Sequence, residues 1–372
     1  MIIGIDGNEA NVSRLVGVSV YTYELLAKFQ SLKREDIQFV IYLKEPPLPH
    51  MPAQTQHFRY RIVKPKKFWT QIGLPIDLFT HSPRPDVFFS PNHYAPRFSP
   101  VPSVIVIHDL AYLFFPDHFL KKDLYQLINW TKYSVNQATH VLAVSGKTRD
   151  DIIKLYKVKP EDVTVTHLGI KESEHMESTI TLQQLEKKYA FTSPYLLYLG
   201  TIQPRKNLSR LIDAFAKVSK EHTDLQLVIV GRKGWLYEPI LAKPEQLGIS
   251  DKVHFLDFAP DEEAKVLYAN AECFVLPSLY EGFGLPILEA MQAGCPVVTS
   301  NVSSLPEIGG DAAEYCNPED TDDITRAIEK VLTDKKLRKD MVAKGYQQVK
   351  KFNWEKTAEE TLAVLESVAN GK

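Results

Sequence analysis

The sequence predicts an α/β fold built from two doubly wound parallel sheets. Short apolar runs rich in β-branched residues alternate with amphipathic helical segments along nearly the whole chain, a pattern typical of sheets covered by helices on both faces. The chain has 372 residues, which is long for a single core, so two domains are expected. A polar stretch that begins after residue 169 separates the two series of alternations.

The composition excludes several classes of function. Apolar residues make up 44% and charged residues 24% of the chain, and the net charge of −2 gives no reason to expect nucleic-acid binding. Three cysteines without CxxC spacing favour neither a zinc site nor a disulfide framework. The N-terminus begins as a strand and no run approaches 18 apolar residues, so neither secretion nor a membrane span is expected. These features predict a cytoplasmic protein.

Residues 1–170 form the first predicted domain. The segments Val20–Phe29, Leu124–Asn136 and Lys147–Tyr156 are predicted helices, and Ser145 is expected to cap the last of them. The predicted strands are Ile2–Asp6, Gln38–Leu43, Asp86–Ser90, Val104–Ile107, His140–Val144 and Val163–Thr166.

Two loops of this domain follow strand ends and are candidate binding elements. The first runs to Gly17, and its glycine spacing differs from GxGxxG, which disfavours a dinucleotide oxidoreductase. Its structural alternative is a connecting loop in which Gly17 packs closely on a neighbour. His108 follows Val104–Ile107 and suits a substrate hydroxyl or, equally, a ring that caps its loop; His93 has the same geometry with less support.

A basic segment spans residues 59–71, RYRIVKPKKFWTQ. Five basic residues precede Phe68 and Trp69, and basic charge beside exposed aromatic rings suits an anionic membrane surface. The alternative is a solvated strand and loop. The segment therefore predicts a peripheral membrane contact that a charge-reversal variant can test.

Residues 171–193 read as a polar linker, and residues 194–353 as the second domain. An amphipathic C-terminal helix is predicted within 354–372. The predicted strands of the second domain are Tyr195–Leu199, Leu227–Val230, Val253–Leu256, Cys273–Pro277 and Pro296–Thr299.

The loop after Tyr195–Leu199 carries two adjacent cations. It reads GTIQPRKNL, begins at Gly200, and places Arg205 and Lys206 before a helix with an apolar face. Two positive charges in a partly enclosed site suit a diphosphate, although a solvated basic loop is the plainer alternative. Phe258, after a later strand, is a candidate for a base pocket or for the core.

The stretch from Ser278 to Ser300 contains two glutamates eight positions apart, Glu281 and Glu289. Between them, Gly284 and Pro286 favour a tight turn and the first turn of a helix over residues 285–293. A helix N-terminus at the carboxyl end of a parallel strand attracts anions, whereas carboxylates accept hydrogen bonds from hydroxyls. The pairing indicates a ligand with both phosphates and hydroxyls, such as a nucleotide sugar.

No metal site is expected. Asp320-Thr321-Asp322 matches a DxD motif superficially, but it enters a helix, so N-terminal capping is the better interpretation.

These motifs together resemble those of the retaining nucleotide-sugar glycosyltransferases of family four. The Gly17 loop, IHDL, GTIQPRKNL, EGFGLPILE, NVSSLPEI and FNWEKTA occur in that order, so the resemblance covers nearly the whole chain. It implies the GT-B fold, with two Rossmann-like domains facing across a cleft. The first domain would bind the acceptor, the second would bind the donor, and the helix at 354–372 would pack back on the first.

The resemblance also implies roles for individual residues. Catalytic roles fall to Glu281 and His108 at the donor sugar and to Arg205 and Lys206 at the diphosphate. The implied donor-binding residues are Glu289 at the ribose, Phe283, Gly284 and Leu285 through their backbone, and Gly17, Gly200 and Phe258. The N-terminal loop reads Gly17-Val18-Ser19 where many members have Gly-x-Gly, which changes how the backbone approaches the β-phosphate.

The implied reaction is metal-independent transfer of a hexose, with retention, to a hydroxyl of a glycan or lipid-linked glycan. GDP-mannose is the favoured donor, no cofactor is expected, and the protein would be cytoplasmic and peripheral at the inner face of the membrane. The alternatives are a nucleotide-sugar epimerase or a sugar phosphorylase of GT-B shape, or a non-catalytic nucleotide-binding protein.

Overall fold

The computed structural model describes residues 1–171 and 180–371, so residues 172–179 of the predicted linker lie outside the described residues. The chain divides into two compact units. The first consists of Met1–Leu113, Lys121–Gly169 and Phe352–Lys372, and the second of Phe114–Leu120 and Ile170–Lys351. A short segment from the first half of the chain therefore belongs to the second unit.

A parallel sheet forms the centre of the first unit, and seven strands lie within its described residues. The strand order is β3-β2-β1-β4-β5-β6-β7. The strands are β1 Ile2–Asp6, β2 Gln38–Leu43, β3 Phe58–Ile62, β4 Val87–Ser90, β5 Ser103–Ile107, β6 His140–Ala143 and β7 Val163–Val165. β4 and β5 are buried along their whole length, as their continuous apolar sequences predict.

Helices connect these strands and cover the sheet. Ser145 caps the N-terminus of the fifth helix by accepting from the Thr148 amide at 3.1 Å, which confirms the predicted cap. The helices in this part of the chain are α1 Val18–Ser31, α2 Leu74–Thr80, α3 Ala111–Phe114, α4 Lys121–Gln137 and α5 Gly146–Tyr156.

The basic segment 59–71 departs from its prediction at Trp69. Its side chain is only 2% exposed and packs in a core cluster with Leu74 and Leu78, and its Nε1 donates to Val63 O at 3.2 Å. The prediction of two exposed aromatic rings is therefore wrong for Trp69. Phe68 is exposed, because its backbone turns through φ 52° at the start of the π-helical turn Trp69–Gly73.

The second unit also contains a parallel sheet, with six strands in its described part. The order is β10-β9-β8-β11-β12-β13. The strands are β8 Tyr195–Leu199, β9 Gln226–Val230, β10 Val253–Leu256, β11 Cys273–Leu276, β12 Val297–Ser300 and β13 Ala313–Cys316. The helices are α6 Leu182–Tyr189, α7 Leu208–Glu221, α8 Glu238–Gln246, α9 Asp261–Asn270, α10 Leu285–Gln292, α11 Leu305–Gly309, α12 Thr321–Thr333 and α13 Lys335–Val349.

The last helix, α14 Trp354–Ala369, belongs to the first unit. It packs on α1, β4 and β5. Ion pairs join it to α1, from Lys28 to Glu355 and from Arg34 to Glu366, each at 2.7 Å. Gly169 permits the close approach of the chain, since a Cβ there would lie 2.3 Å from Trp354 N.

Each sheet has a point where the strand order reverses, and ligands of open α/β sheets bind at such points. In the first unit this point lies between β1 and β4, and in the second between β8 and β11. The loops that follow these strands contain, or lie next to, the predicted site residues.

The predicted capping role of Asp320 is confirmed. Its Oδ1 accepts from the amides of Asp322 and Asp323 at 2.9 and 3.3 Å, at the start of α12. No helix among the described residues is both long and apolar enough to cross a membrane.

Candidate active site

The loop after β8 is fixed to the loop after β11 by one asparagine. Asn207 is only 4% exposed and adopts φ 62° between the short helix Pro204–Lys206 and α7. Its Nδ2 donates to Pro277 O at 3.0 Å and to Pro318 O at 2.7 Å. Asparagine tolerates this left-handed conformation better than most residues. The preceding cations are therefore held at the switch point of the sheet.

Arg205 and Lys206 converge on Glu281 from the neighbouring loop. Lys206 Nζ lies 2.5 Å from Glu281 Oε1, and Arg205 Nη1 lies 3.1 Å from Oε2. Arg205 Nη1 also donates to Tyr280 O, and the Leu279 amide donates back to Arg205 O at 3.0 Å. The side chains of all three charged residues are between 10% and 14% exposed. The cluster carries a net charge of +1 when Glu281 is ionised.

Serine side chains fix the Glu281 loop. Ser278 Oγ donates to Glu281 Oε1 at 2.7 Å. After β12, Ser303 accepts from the Glu281 amide at 3.1 Å, and Ser304 Oγ lies 2.9 Å from Glu281 O and 2.7 Å from Phe283 O. Three loops at the same end of the sheet therefore meet at Glu281, two of them at its carboxylate and the third at its backbone.

Glu281 is ionised at neutral pH. Burial alone would raise its pKa, but the attraction of Lys206 and Arg205, with hydrogen bonds from Lys206 and Ser278, outweighs burial and lowers the pKa from 4.5 to about 2. A carboxylate with such a low pKa is a weak proton acceptor at neutral pH. The position suits a hydrogen-bond acceptor that also holds the two cations in place.

Glu289 lies in a different environment, in α10. Tyr268 of α9 donates its hydroxyl to Glu289 Oε2 at 3.1 Å. Burial raises the pKa of Glu289 above its usual value, although this hydrogen bond opposes the rise. The two glutamates thus differ in partner and in the direction of their pKa shifts.

The N-terminus of α10 follows the turn that contains Phe283. Gly284 precedes the helix with φ 116°, a conformation that strongly favours glycine, and a Cβ there would lie 3.0 Å from Leu305 Cδ2. Pro286 stands in the first turn, as predicted. Leu285 is the first helical residue, and Phe283 is 6% exposed. The predicted backbone contacts with a donor remain predictions.

Two more predicted donor-binding residues lie along the same end of the sheet. Gly200 directly follows β8, and Gly231 after β9 approaches it so closely that a Cβ on Gly231 would lie 1.9 Å from Gly200 O. Phe258, after β10, is 39% exposed, and the Arg232 guanidinium lies over its ring at 5.8 Å. Phe258 is therefore a surface ring beside a cation and not a core residue.

The segment Phe114–Leu120 packs on this unit near the charged cluster. The Phe114 ring stacks on Tyr280 with centroids 5.2 Å apart. Trp235 Nε1 donates to His118 O, and the Phe119 and Trp235 rings lie 5.6 Å apart. Tyr280 directly precedes Glu281, so the segment contacts the loop that carries the carboxylate.

His108 lies in the first unit, after β5. Its Nε2 lies 2.9 Å from Pro91 O, and its ring meets Tyr21 edge-on at 4.9 Å. His93 accepts from the His108 amide at 3.2 Å, so the loops after β4 and β5 are joined. Burial, together with the nearby His93, lowers the pKa of His108 from 6.5 to about 4. The imidazole is neutral at pH 7 and donates from Nε2 to Pro91.

Gly17 caps α1 in the first unit with φ 55° and ψ −118°. A Cβ there would have no heavy atom within 4 Å. The alternative in which Gly17 packs closely on a neighbour is therefore wrong, and the glycine is needed for its backbone conformation.

Eight of the predicted site residues lie on the loops after β8 and β11 and on α10 of the second unit. They are Gly200, Arg205, Lys206, Glu281, Phe283, Gly284, Leu285 and Glu289. Phe258 lies elsewhere in that unit, and His108 and Gly17 belong to the first. Asn207, Tyr268, Ser303 and Ser304 were not predicted. For Asn207, Ser303 and Ser304 the available signal was a polar residue after a strand end or at a helix start; Tyr268 lies inside α9 and offers no such signal.

Comparisons with known proteins agree with this geometry. The family described as Glycosyltransferase Family 4 matches residues 16–174, and the family described as Glycosyl transferases group 1 matches residues 183–348. The chain is 34% identical over 278 residues to the O-antigen chain mannosyltransferase B of Escherichia coli, covering 74% of this chain and 73% of that protein.

Solved structures show the same fold. The sucrose-phosphate synthase of Thermosynechococcus elongatus superposes with a TM-score of 0.77 at 17% identity over 100% of both chains. The Anabaena protein HepE, solved with UDP and glucose, superposes with a TM-score of 0.74 at 17% identity, covering 98% of this chain and 99% of that one. Two Rossmann-like units and these matches establish the GT-B fold. The chain belongs to glycosyltransferase family 4 and is a glycosyltransferase of GT-B fold.

Proposed function

We propose that this glycosyltransferase moves a hexose, with mannose favoured, from a nucleoside diphosphate sugar to a hydroxyl of a glycan or lipid-linked glycan. The observation that carries the proposal is the buried cluster of Arg205, Lys206 and Glu281 at the switch point of the second sheet. Mannose is favoured because the E. coli relative is named as a mannosyltransferase. A nucleotide donor is supported by the UDP in HepE, which shares the fold.

The charge of the cluster suits the departing group. Breaking the bond between the anomeric carbon and the diphosphate oxygen leaves both bonding electrons on that oxygen. Arg205 and Lys206 lie at the end of the sheet where a diphosphate is expected, and their positions are fixed by protein contacts with Glu281, Tyr280 and Asn207. Preorganised cations stabilise a developing negative charge without reorganising in the reaction. We propose that they supply the stabilisation for which DxD enzymes use a divalent metal.

The proposed stereochemical course is retention by attack on the face that the diphosphate leaves. The acceptor oxygen forms a bond to the anomeric carbon, and its proton passes to the departing phosphate oxygen. No dedicated base is required, which agrees with the low pKa of Glu281. Glu281 would accept hydrogen bonds at the donor sugar, Glu289 would accept them from the ribose, and His108 would contact the donor sugar. A glycosylated enzyme peptide found by mass spectrometry would exclude this course.

The donor is tested first, by thermal shift. Nucleoside diphosphate sugars with guanine, uracil or adenine are each added to the chain, because a ligand that binds only the folded state raises its melting temperature. We expect the largest shift with a GDP-sugar. A larger shift with another base would replace the proposed donor and leave the assignment of the cluster intact.

Turnover then tests the cluster. Arg205→Ala should reduce transfer roughly 30-fold to 1000-fold, equivalent to about 2 to 4 kcal/mol of lost transition-state stabilisation. Glu281→Ala should also reduce it, whereas Arg326→Ala, an exposed arginine of the same unit, should not. Turnover should persist in the presence of a chelator. Wild-type turnover in both Arg205→Ala and Glu281→Ala would show that the proposed site is wrong, and product from donor alone would favour an epimerase.

A further inference from the structure

The helical segment after the basic loop carries a row of exposed apolar side chains. Phe68, Ile72, Ile76 and Phe79 are spaced by four, four and three residues and are 53%, 44%, 54% and 49% exposed. We call these four residues the apolar stripe. The opposite side of the same segment is buried through Trp69, Leu74 and Leu78. The segment is therefore amphipathic, with one face in the core and a second apolar face in solvent.

The loop Lys64–Lys67, which we call the basic loop, is fixed beside the stripe. Gly73 allows this contact, since a Cβ there would lie 2.8 Å from Pro65 O. Lys64, Lys66 and Lys67 are all exposed, and Lys67 Nζ lies 5.3 Å from the centroid of the Phe68 ring. Glu45 pairs with Lys66 and lies 3.7 Å from Lys64, so it offsets part of the charge. The loop and Glu45 together carry a net positive charge.

A second exposed ring lies next to the stripe. The Arg97 amide donates to Thr70 O at 3.0 Å, which joins the loop before β5 to the stripe segment. Phe98, the next residue, is 74% exposed. Both Phe68 and Phe98 adopt φ 52°, a conformation that is unfavourable for a bulky side chain and that here directs both rings into solvent. Single exposed apolar residues are ordinary, but a contiguous set on one helix face marks an interaction surface.

We propose that the apolar stripe, Phe98 and the basic loop form a surface that docks on a bilayer containing anionic lipid. The geometry is that of an interfacial helix: apolar side chains on one exposed face enter the acyl boundary, and adjacent lysines reach the headgroups. The combination of an apolar row with a basic edge favours a lipid surface over a protein partner or a second copy of the chain. The surface differs from the sequence prediction, because Trp69 is excluded from it and α2 is included. It does not depend on the proposed donor or acceptor.

Co-sedimentation with phosphatidylcholine vesicles, with and without phosphatidylglycerol, tests the surface. The wild-type chain should bind the anionic vesicles. Phe68→Asn combined with Ile76→Ser should lower the partition coefficient at least about tenfold; asparagine is chosen because it tolerates the backbone of Phe68. Lys66→Glu with Lys67→Glu should lower it by about fivefold or more per lysine on anionic vesicles. Glu45→Gln should raise binding by up to about fivefold, since it removes the charge that pairs with the basic loop.

Matched controls lie at the other edge of the same sheet. Leu155→Ser removes an exposed aliphatic side chain from α5, beside β7, whereas the stripe lies beside β3. Lys154→Glu with Lys159→Glu makes the same change of charge away from the stripe. Both controls should bind as the wild type does. Thermal unfolding verifies each fold, and Phe79→Ser alone repeats the stripe test if the double variant is unstable.

Three results would overturn the proposal: no binding of the wild-type chain to anionic vesicles, unchanged binding of the stripe variants, or equal losses in stripe variants and controls. Analytical ultracentrifugation supplies a fourth. A concentration-dependent dimer that Ile76→Ser dissociates would assign the stripe to contact between copies and not to lipid.

Discussion

Glu281→Gln is the substitution with the most informative consequence for the charged cluster. It preserves the size of the side chain and removes one negative charge. In the wild-type chain that charge lies 2.5 Å from Lys206 Nζ and 3.1 Å from Arg205 Nη1, and all three side chains are largely buried. The variant leaves two buried cations without their carboxylate, and an uncompensated buried charge is strongly destabilising.

The pKa of Glu281 sets the size of the effect. A change from 4.5 to about 2 corresponds, at about 1.36 kcal/mol per unit, to about 3 kcal/mol of folding free energy at neutral pH. Because the folded-state pKa is depressed, this stability is fully present above pH 4.5 and is lost as the pH falls toward 2. The difference in free energy of unfolding between wild type and variant should therefore be nearly constant from pH 7 to 5. It should narrow by about 1 kcal/mol at pH 3.5.

Urea unfolding followed by circular dichroism measures this difference in free energy of unfolding. Hydrogen exchange of peptides from β8 and β11 tests whether the loss of stability lies in the second unit. Glu314→Gln is the matched control, since Glu314 also pairs with one arginine and one lysine, Arg326 and Lys330, each at 2.8 Å. Those partners are both 49% exposed, so the control should cost about 1 kcal/mol or less. Equal losses of unfolding free energy in Glu281→Gln and Glu314→Gln would refute the reasoning. A loss in Glu281→Gln that does not change with pH would also refute it.

Two further predictions concern the first unit. Gly17→Ala should lower the free energy of unfolding by roughly 1 to 3 kcal/mol, because alanine would have to adopt φ 55° and ψ −118°, a backbone conformation that L-residues rarely adopt. No steric clash adds to this cost, and a neutral result in urea unfolding would show that the loop relaxes. His108→Gln should reduce the loss of stability between pH 6.5 and pH 4. The folded-state pKa of about 4 lies below the usual 6.5, so His108 contributes stability above pH 6.5 that is lost as the pH falls through 4. Parallel curves of unfolding free energy against pH for wild type and variant would contradict this.

The strands of the fold could be predicted because their signal is local. Ile2–Asp6, Gln38–Leu43, Tyr195–Leu199 and Val253–Leu256 agree with the predicted bounds. These runs are predominantly apolar and are followed by glycine or polar residues. β13, Ala313–Cys316, was not predicted because its sequence AEYC has mixed polarity, as an edge strand paired on one side permits.

The sequence did not show which of the two adjacent aromatic residues, Phe68 or Trp69, is buried. Phe68 and Trp69 are adjacent and both apolar, yet one is exposed and the other lies in the core. The difference depends on the left-handed backbone at Phe68 and on the π-helical turn that follows, neither of which has a strong sequence signal. The spacing of apolar residues shows that a segment is helical, but it does not show which of two apolar faces is buried. That depends on the geometry of the turn before the helix.

The contact between Glu281 and the two cations was not predicted, although each residue was selected. Arg205 and Glu281 are 76 positions apart, and only the pairing of β8 with β11 brings their loops together. The two cations alone therefore predicted a charge of +2 at the phosphate site, whereas the cluster with Glu281 carries +1. The contact between Tyr268 and Glu289 was not predicted for the same reason, since it joins two helices whose residues are 21 positions apart.

This pairing changes how a loss of activity should be interpreted. Glu281→Ala removes a hydrogen-bond acceptor from the proposed sugar site and also releases Arg205 and Lys206 from their fixed positions. The two effects are separable by a mutant cycle in which Glu281→Ala is combined with the double variant Arg205→Ala, Lys206→Ala. If Glu281 acts only by holding the cations, its substitution should add little once both cations are absent; if it also contacts the sugar, the losses in turnover should approach additivity. The cycle therefore distinguishes a positioning carboxylate from one that touches the substrate.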